Sequence, residues 1–301
     1  MNRKPTLKSS LQALLYLAPA LVFMTTFTII PIIRSFMMSF YENYKLRNIT
    51  KNKPVVWSLD NFQKILADQK FYLALTNTAT YVFWVVLCSI TISVTVAVLL
   101  NQIPVLKGLF RTAYFLPFVT STVAISVVWS WLYHSEYGLL NYLLGLVGID
   151  RINWLNDPKT AMTAVIIMAI WKSLGFNILL TLVGLGNINE TYYKAAQVDG
   201  ANAWKRFTNI TLPLLRPTLF LLSTVGIING FKVFDEVFAL FNGRPGPGGS
   251  AMTVVYYLFD QFYVQFNYGM AAATGIILFA IVLVITVFQN IGNKYFEKRG
   301  G

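Results

Sequence analysis

Four charged side chains sit where the chain is otherwise almost wholly apolar: Lys172 in one long run, and Lys232, Asp235 and Glu236 in the next. A charge at mid-membrane costs about 2.5–3.5 kcal/mol on insertion scales, which makes each of them a functional candidate by default. On one continuous helix Lys232 reaches Asp235 at i+3 and Glu236 at i+4, the spacing of an internal ion pair that neutralises a helix face. The same residues also read as the lining of a polar path. Asn229, Lys232 and Glu236 lie about one turn apart, and Lys172, Phe176 and Asn177 supply a second set. Recognition of a polyhydroxylated ligand needs that mixture: donors and acceptors for hydroxyls, aromatic faces for apolar ring surfaces.

Covalent chemistry is not encoded in a comparable way. The chain has no His-rich cluster, no nucleophile elbow and no Gly-x-x-x-x-Gly-Lys-Ser/Thr phosphate loop. Its one cysteine, Cys88, lies inside an apolar run, so an intrachain disulfide and a cysteine-based metal site are both excluded. The lone His134 ends a run beside Trp131 and Tyr133 and reads as a membrane-interface residue rather than a ligand.

The elements that must hold these residues follow from composition. The 301 residues are 56% apolar and 12% charged, with a mean hydropathy of +0.58. An ordinary soluble domain carries about 25% charged residues. Apolar runs of about 20 residues match a hydrocarbon core of roughly 30 Å, so the fold class is an all-α, polytopic membrane protein. A β-barrel is excluded because the runs are continuous rather than alternating. A formal net charge of +12 points to anionic lipid at helix ends, not to nucleic acid.

Six spans are expected, near 12–33, 73–100, 112–133, 161–186, 218–241 and 270–291, between an N-terminal segment 1–11 and a tail 292–301. Arg3, Lys4 and Lys8 precede an apolar stretch too long for a secretory leader and without a small-x-small cleavage site, so it reads as the first span. The N-terminus, 101–111, 187–217 and the C-terminus together hold twelve Lys and Arg; the opposite segments hold ten, seven of them in the long 34–72 connection. That bias puts both termini and the 187–217 loop in the cytoplasm. No internal duplication is visible, which argues against transporters built of two similar halves and suggests that a second subunit completes the pathway.

The 187–217 loop is polar and organised. Asn187 or Asn189 can cap a helix opening at Glu190, Ala195 and Ala196 allow close approach of another backbone, and Gly200 is a natural left-handed stop. A second short helix is expected from about Ala201 to Thr211, ending before Pro213, with Trp204, Phe207 and Ile210 at i, i+3 and i+6 as an apolar stripe. Such a stripe suits either lipid headgroups or a groove on a partner.

The sequence Tyr193-Lys-Ala-Ala-Gln-Val-Asp-Gly-Ala, followed by Phe207-Thr-Asn-Ile-Thr-Leu-Pro-Leu-Leu-Arg-Pro217, resembles the EAA loop of ATP-binding-cassette importer permeases, most closely their carbohydrate-uptake, maltose-type branch. Leu17-Ala-Pro-Ala with Pro31, Phe234-Asp-Glu, Asn242-Gly-Arg-Pro-Gly and Tyr268-Gly-Met-Ala-Ala-Ala extend the resemblance over nearly the whole chain. It implies a coupling helix between the fourth and fifth spans that seats on a separate ATPase, with Lys194, Ala195, Ala196, Asp199, Gly200, Ala201 and Phe207 at the contact. It also implies a cavity lined by the segments before that loop and at the middle of the next helix, which adds Ser173 and Gly230 to Phe176 and Asn229. The implied partners are a second permease subunit, an ATPase dimer, an extracellular or periplasmic sugar-binding protein and membrane lipid. The chain itself is expected to bind no cofactor, ATP and Mg residing on the ATPase, and to lie in a bacterial or archaeal cytoplasmic membrane.

Two positions depart from that pattern. Lys194 stands where the motif has Glu, and Arg244 where the outer loop usually has Gly. The expected function is passage of a sugar or oligosaccharide delivered by a binding protein. Import of a polyol or glycerol phosphate, with Lys172 and Lys232 serving an anionic group, is the alternative within transport. A stand-alone channel or ion-coupled transporter would leave the loop motif without a use.

Overall fold

The computed structural model describes residues 7–51, 54–101 and 115–297. Along the chain run α1 (Leu7–Met24), α2 (Ile30–Ser39), α3 (Leu46–Ile49), α4 (Asp60–Ala67), α5 (Gln69–Asn101), α6 (Thr122–Leu132), α7 (Leu139–Leu146), α8 (Ala161–Gly186), α9 (Glu190–Val198), α10 (Ala203–Leu214), α11 (Arg216–Phe231), α12 (Asp235–Leu240), α13 (Val254–Phe259) and α14 (Tyr268–Glu297). No strand occurs among the described residues, only the isolated bridges Tyr41–Trp57 and Lys45–Asn267.

Among the described residues, four helices are long and apolar enough to cross a membrane: Leu14–Ser39, Gln69–Asn101, Ala161–Gly186 and Tyr268–Lys294. α10 and α11 qualify as a fifth only together, and they are bent by 62°. The expected third span, 112–133, begins outside the described residues. From there, 115–119 are helical, the helix breaks at Thr120 and Ser121, and α6 follows. The 101–111 loop lies outside the described residues from 102 onward, as do residues 1–6 and 298–301 of the expected terminal segments.

Prolines accompany two of the irregular helix segments. A proline inside a helix lacks an N–H and its ring crowds the carbonyl four residues earlier. Between α1 and α2 the backbone widens into a π turn over Thr25–Ile29, just before Pro31. The same device recurs within α10, where a π turn over Phe207–Thr211 precedes Pro213. Pro217 then sits in the first turn of α11, the helix position that tolerates it best.

The chain divides into two compact units. The first takes in the described residues of Met1–Asp68 and Leu258–Ile277. Much of the 34–72 connection is folded here rather than open. Buried Asn61 donates to Ser39 O (2.9 Å) and Tyr41 O (3.0 Å), Leu46 N donates to Phe266 O (3.1 Å), and Gly269 N donates to Tyr44 O (3.1 Å). A Cβ on Gly269 would lie 2.8 Å from Asn61 Nδ2, so only glycine fits this crossing.

The second unit takes in the described residues of Gln69–Tyr257 and Leu278–Gly301. α5 packs along α8 and α11. Buried small residues, Ser89, Ser93 and Ala97 on α5 with Ala161 and Ala164 on α8, permit close approach of helix backbones, the usual device where lipid supplies no hydrophobic drive for helix association. The segments between helices are also held. Asn141 accepts from Ile152 N (3.2 Å) and Trp154 Nε1 (3.0 Å) and donates to Ile152 O (2.9 Å). Asn77 donates to Ser250 O (3.0 Å) and Met252 O (2.9 Å), and Tyr256 donates to Gly243 O (2.6 Å), which clamps the Gly- and Pro-rich segment 242–252.

Candidate functional site

The expected 218–241 helix is interrupted, and the interruption builds the site. α11 ends at Phe231, Phe234 takes an extended φ of −148°, and α12 restarts at Asp235. Lys232 N and Val233 N close the end of α11 on Asn229 O and Gly230 O. Asp235 and Glu236 then occupy the first turn of α12, where the helix dipole favours acids.

This break overturns the pairing expected from spacing. Lys232 does not neutralise Asp235 and Glu236 along one helix face, because the three residues are not on one helix. Glu236 is instead paired across the unit with Lys172 of α8, Nζ to Oε1 at 3.1 Å, and Lys172 also donates to Thr122 Oγ1 of α6. Both side chains are largely covered, 19% exposed for Lys172 and 17% for Glu236. Lys232 and Asp235 are exposed and make no ion pair among the described residues. The polar residues thus assemble from three elements, α6, α8 and α12.

The pair borders a cavity of about 340 Å³. All eight residues expected on a polar path line it: Lys172, Ser173, Phe176 and Asn177 from α8, Asn229 and Gly230 from α11, and Lys232 and Glu236 at the break. Phe176 stacks on Phe118, ring centres 5.0 Å apart and planes 20° from parallel, presenting a flat apolar wall. Asn177 donates to Ser89 Oγ of α5 at 3.1 Å. Ser173 donates to Ile170 O at 2.9 Å and keeps its lone pairs for another donor. Gly230 faces Val82, and a Cβ there would come within 2.9 Å of Val82 Cγ2.

Sequence reasoning missed Tyr81, Ser89, Phe118 and Thr122, which share the lining. Single Tyr, Ser and Thr residues inside apolar runs carry no signal unless their facing is known. Thr122 is found only through the lysine that bonds to it.

The second candidate element is the loop after α8. Asn189 caps α9, its Oδ1 accepting from Thr191 N at 2.9 Å. Gly200 follows with φ +73°, and Ala201 N returns to Ala196 O at 2.8 Å. Asn202 caps α10 by accepting from Lys205 N at 2.8 Å, and Tyr193 and Thr211 hydroxyls meet at 2.9 Å, tying the two helices together. The expected second helix therefore starts at Ala203 rather than Ala201 and passes through a π turn, but Trp204 and Phe207 still share a face, ring centres 5.8 Å apart.

No residue of α9 is buried. Lys194, Ala195, Asp199 and Gly200 are exposed, and Ala196, Ala201 and Phe207 are half-buried. Lys194 approaches Glu190 one turn earlier at 3.5 Å, with both side chains more than 70% exposed (74% and 84%). Exposed pairs of this kind contribute little. Val198 (89% exposed) and Trp204 (70%) stand out from the loop. It is a capped element with an uncovered face.

Residues 89–299 match the family described as binding-protein-dependent transport system inner membrane component. The chain is 34% identical over 277 residues to the arabinooligosaccharides transport system permease protein AraP of Bacillus subtilis (strain 168), covering 91% of this chain and 86% of that one. It is 32% identical over 273 residues to the trehalose/maltose transport system permease protein MalF of Thermococcus litoralis, covering 91% and 90%. Among solved structures it resembles a bacterial ABC transporter involved in the import of the acidic polysaccharide alginate, with a TM-score of 0.81, 26% identity and 96% of each chain covered. With apolar helices of spanning length and this sequence match over most of its residues, the chain belongs to the binding-protein-dependent transport system inner membrane component family.

Proposed function

We propose that this chain is one permease subunit of an ATP-driven importer and passes a sugar or oligosaccharide across the cytoplasmic membrane. The observation that carries the reading is the cavity between α5, α6, α8 and α11. Its amide, hydroxyl and stacked phenyl groups suit a polyhydroxylated ring, and the Asn177–Ser89 and Lys172–Thr122 bonds join the helices around them. The names of the relatives, transporters of arabinooligosaccharides and of trehalose and maltose, support the same ligand class.

In this reading the chain crosses the membrane six times with both termini in the cytoplasm, α6 with the preceding helical turn and α11 with α12 serving as the broken third and fifth spans. α9 is the coupling helix. Its exposed Lys194, Ala195, Ala196, Asp199, Gly200 and Ala201, with Phe207 behind them, enter a groove of the ATPase. A second permease subunit completes the pathway, and a binding protein delivers the sugar from outside. ATP and Mg belong to the ATPase; this chain holds no cofactor and carries out no hydrolysis.

The test is reconstitution in proteoliposomes with the second permease and ATPase subunits, measuring ATP hydrolysis and uptake with sugar-binding proteins and a sugar panel. Stimulation of both by one sugar-loaded binding protein is the expected result. Uptake without any ATPase would overturn the proposal.

A further inference from the structure

We infer that the Lys172–Glu236 pair makes the cavity selective for uncharged saccharides, with Glu236 as the group that turns acidic ones away. The inference rests on the cavity being the sugar path and adds the charge of the sugar.

Four charged side chains line the cavity, Lys172, Lys232, Asp235 and Glu236, and they sum to zero. The two cations are not equivalent. Lys172 lies beside Phe176 and Asn177 on α8, where a bound ring would rest, and its ammonium is already held by Glu236 Oε1 at 3.1 Å and by Thr122 Oγ1. Lys232 is exposed at the break, three residues before Asp235.

A uronate or sugar phosphate seeking Lys172 meets two penalties. If Lys172 stays with Glu236, the incoming anion sits beside a carboxylate of the same sign in a partly covered site. If Lys172 turns to the ligand, Glu236 is left without its partner while only 17% exposed. Like charges brought together in such a setting lower affinity by roughly tenfold or more. A neutral ring meets neither penalty: it uses the free lone pairs of Ser173, the amide of Asn229 and the Phe118–Phe176 wall, and leaves the ion pair intact. A transporter of similar fold is involved in the import of the acidic polysaccharide alginate, so helix placement alone does not set charge preference. The two penalties argue against glycerol phosphate as cargo.

The experiment uses the assembled importer in lipid nanodiscs, titrated with maltotriose, arabinotriose and trigalacturonate and followed by saturation-transfer NMR. At least one neutral trisaccharide is expected to bind at least about tenfold more tightly than trigalacturonate. Glu236→Gln frees Lys172 and should shrink that ratio by about tenfold. Lys172→Gln leaves Glu236 unopposed and should widen it, so the two variants must move in opposite directions. If one of them fails to assemble, the other decides by the sign of its shift. Equal binding of trigalacturonate and the neutral sugars by the unmodified protein would overturn charge selection alone. A ratio unmoved by the assembled variants would do the same. Binding of no saccharide of either kind would overturn the sugar path itself.

Discussion

Gly230 of α11 lies so close to Val82 of α5 that a Cβ at position 230 would stand 2.9 Å from Val82 Cγ2. The contact sets how near the two helices pass beside the cavity. Gly230→Ala is therefore expected to destabilise the importer by about 1–3 kcal/mol through overpacking. Val82→Ala in the same chain should restore most of that. Thermal unfolding of the detergent-solubilised complex measures both, and a Gly230→Ala protein as stable as the parent would refute the close packing.

Asn177 donates to Ser89 Oγ at 3.1 Å, joining α8 to α5 where both residues are buried. In a double-mutant cycle with Asn177→Ala and Ser89→Ala, a coupling of about 0.5–1.5 kcal/mol is expected. Either single change should also weaken sugar binding, because the freed partner turns into the cavity or draws in water. Strict additivity of the two changes in unfolding measurements would show that the bond contributes nothing.

Gly200 has φ +73°, a conformation that costs roughly 1–2 kcal/mol for a side-chain-bearing residue and more for a β-branched one. Nothing lies within 4 Å of a Cβ built there, so the penalty is backbone strain rather than collision. Gly200→Val is expected to disturb the turn between α9 and α10 and to uncouple ATP hydrolysis from uptake while membrane insertion is preserved. Asp199→Lys, on the same exposed corner, should uncouple without strain. Unchanged sugar uptake in both variants would exclude coupling through this loop.

Lys194 is 74% exposed, and its only ion pair among the described residues is with the still more exposed Glu190 (84%). Lys194→Glu is expected to change stability by less than about 0.5 kcal/mol. Its effect should instead appear in assembly: weaker association with the native ATPase and lower sugar-stimulated hydrolysis, measured by co-purification and turnover. A large loss of stability with normal ATPase association would place Lys194 in the fold rather than at an interface.

The membrane character, the helical class and the loop motif were legible in the sequence because each depends on local composition and spacing. Apolar runs longer than a bilayer is thick leave few alternatives. The Asn189 cap and the Gly200 stop follow from single-residue preferences, and both occur where those preferences point. The candidate polar residues were also visible, since a charge in an apolar run is conspicuous wherever it ends up.

Their pairing was not. The i+3 and i+4 spacing of Lys232 with Asp235 and Glu236 describes a continuous helix, and the chain breaks between them at Val233 and Phe234. Nothing local in Phe231-Lys-Val-Phe-Asp announces that break. It depends on longer contacts, such as Thr253 donating to Val233 O at 2.9 Å. Once the helix is broken, Glu236 turns to Lys172, 64 positions away, and Thr122 joins from 50 positions away on the other side. Composition and short-range spacing determined by themselves that this chain is a helical membrane protein with charges inside its apolar runs and an organised polar loop. Tertiary structure decided which charges meet, because a salt bridge between partly covered side chains depends on distances between helices that no local rule of spacing contains.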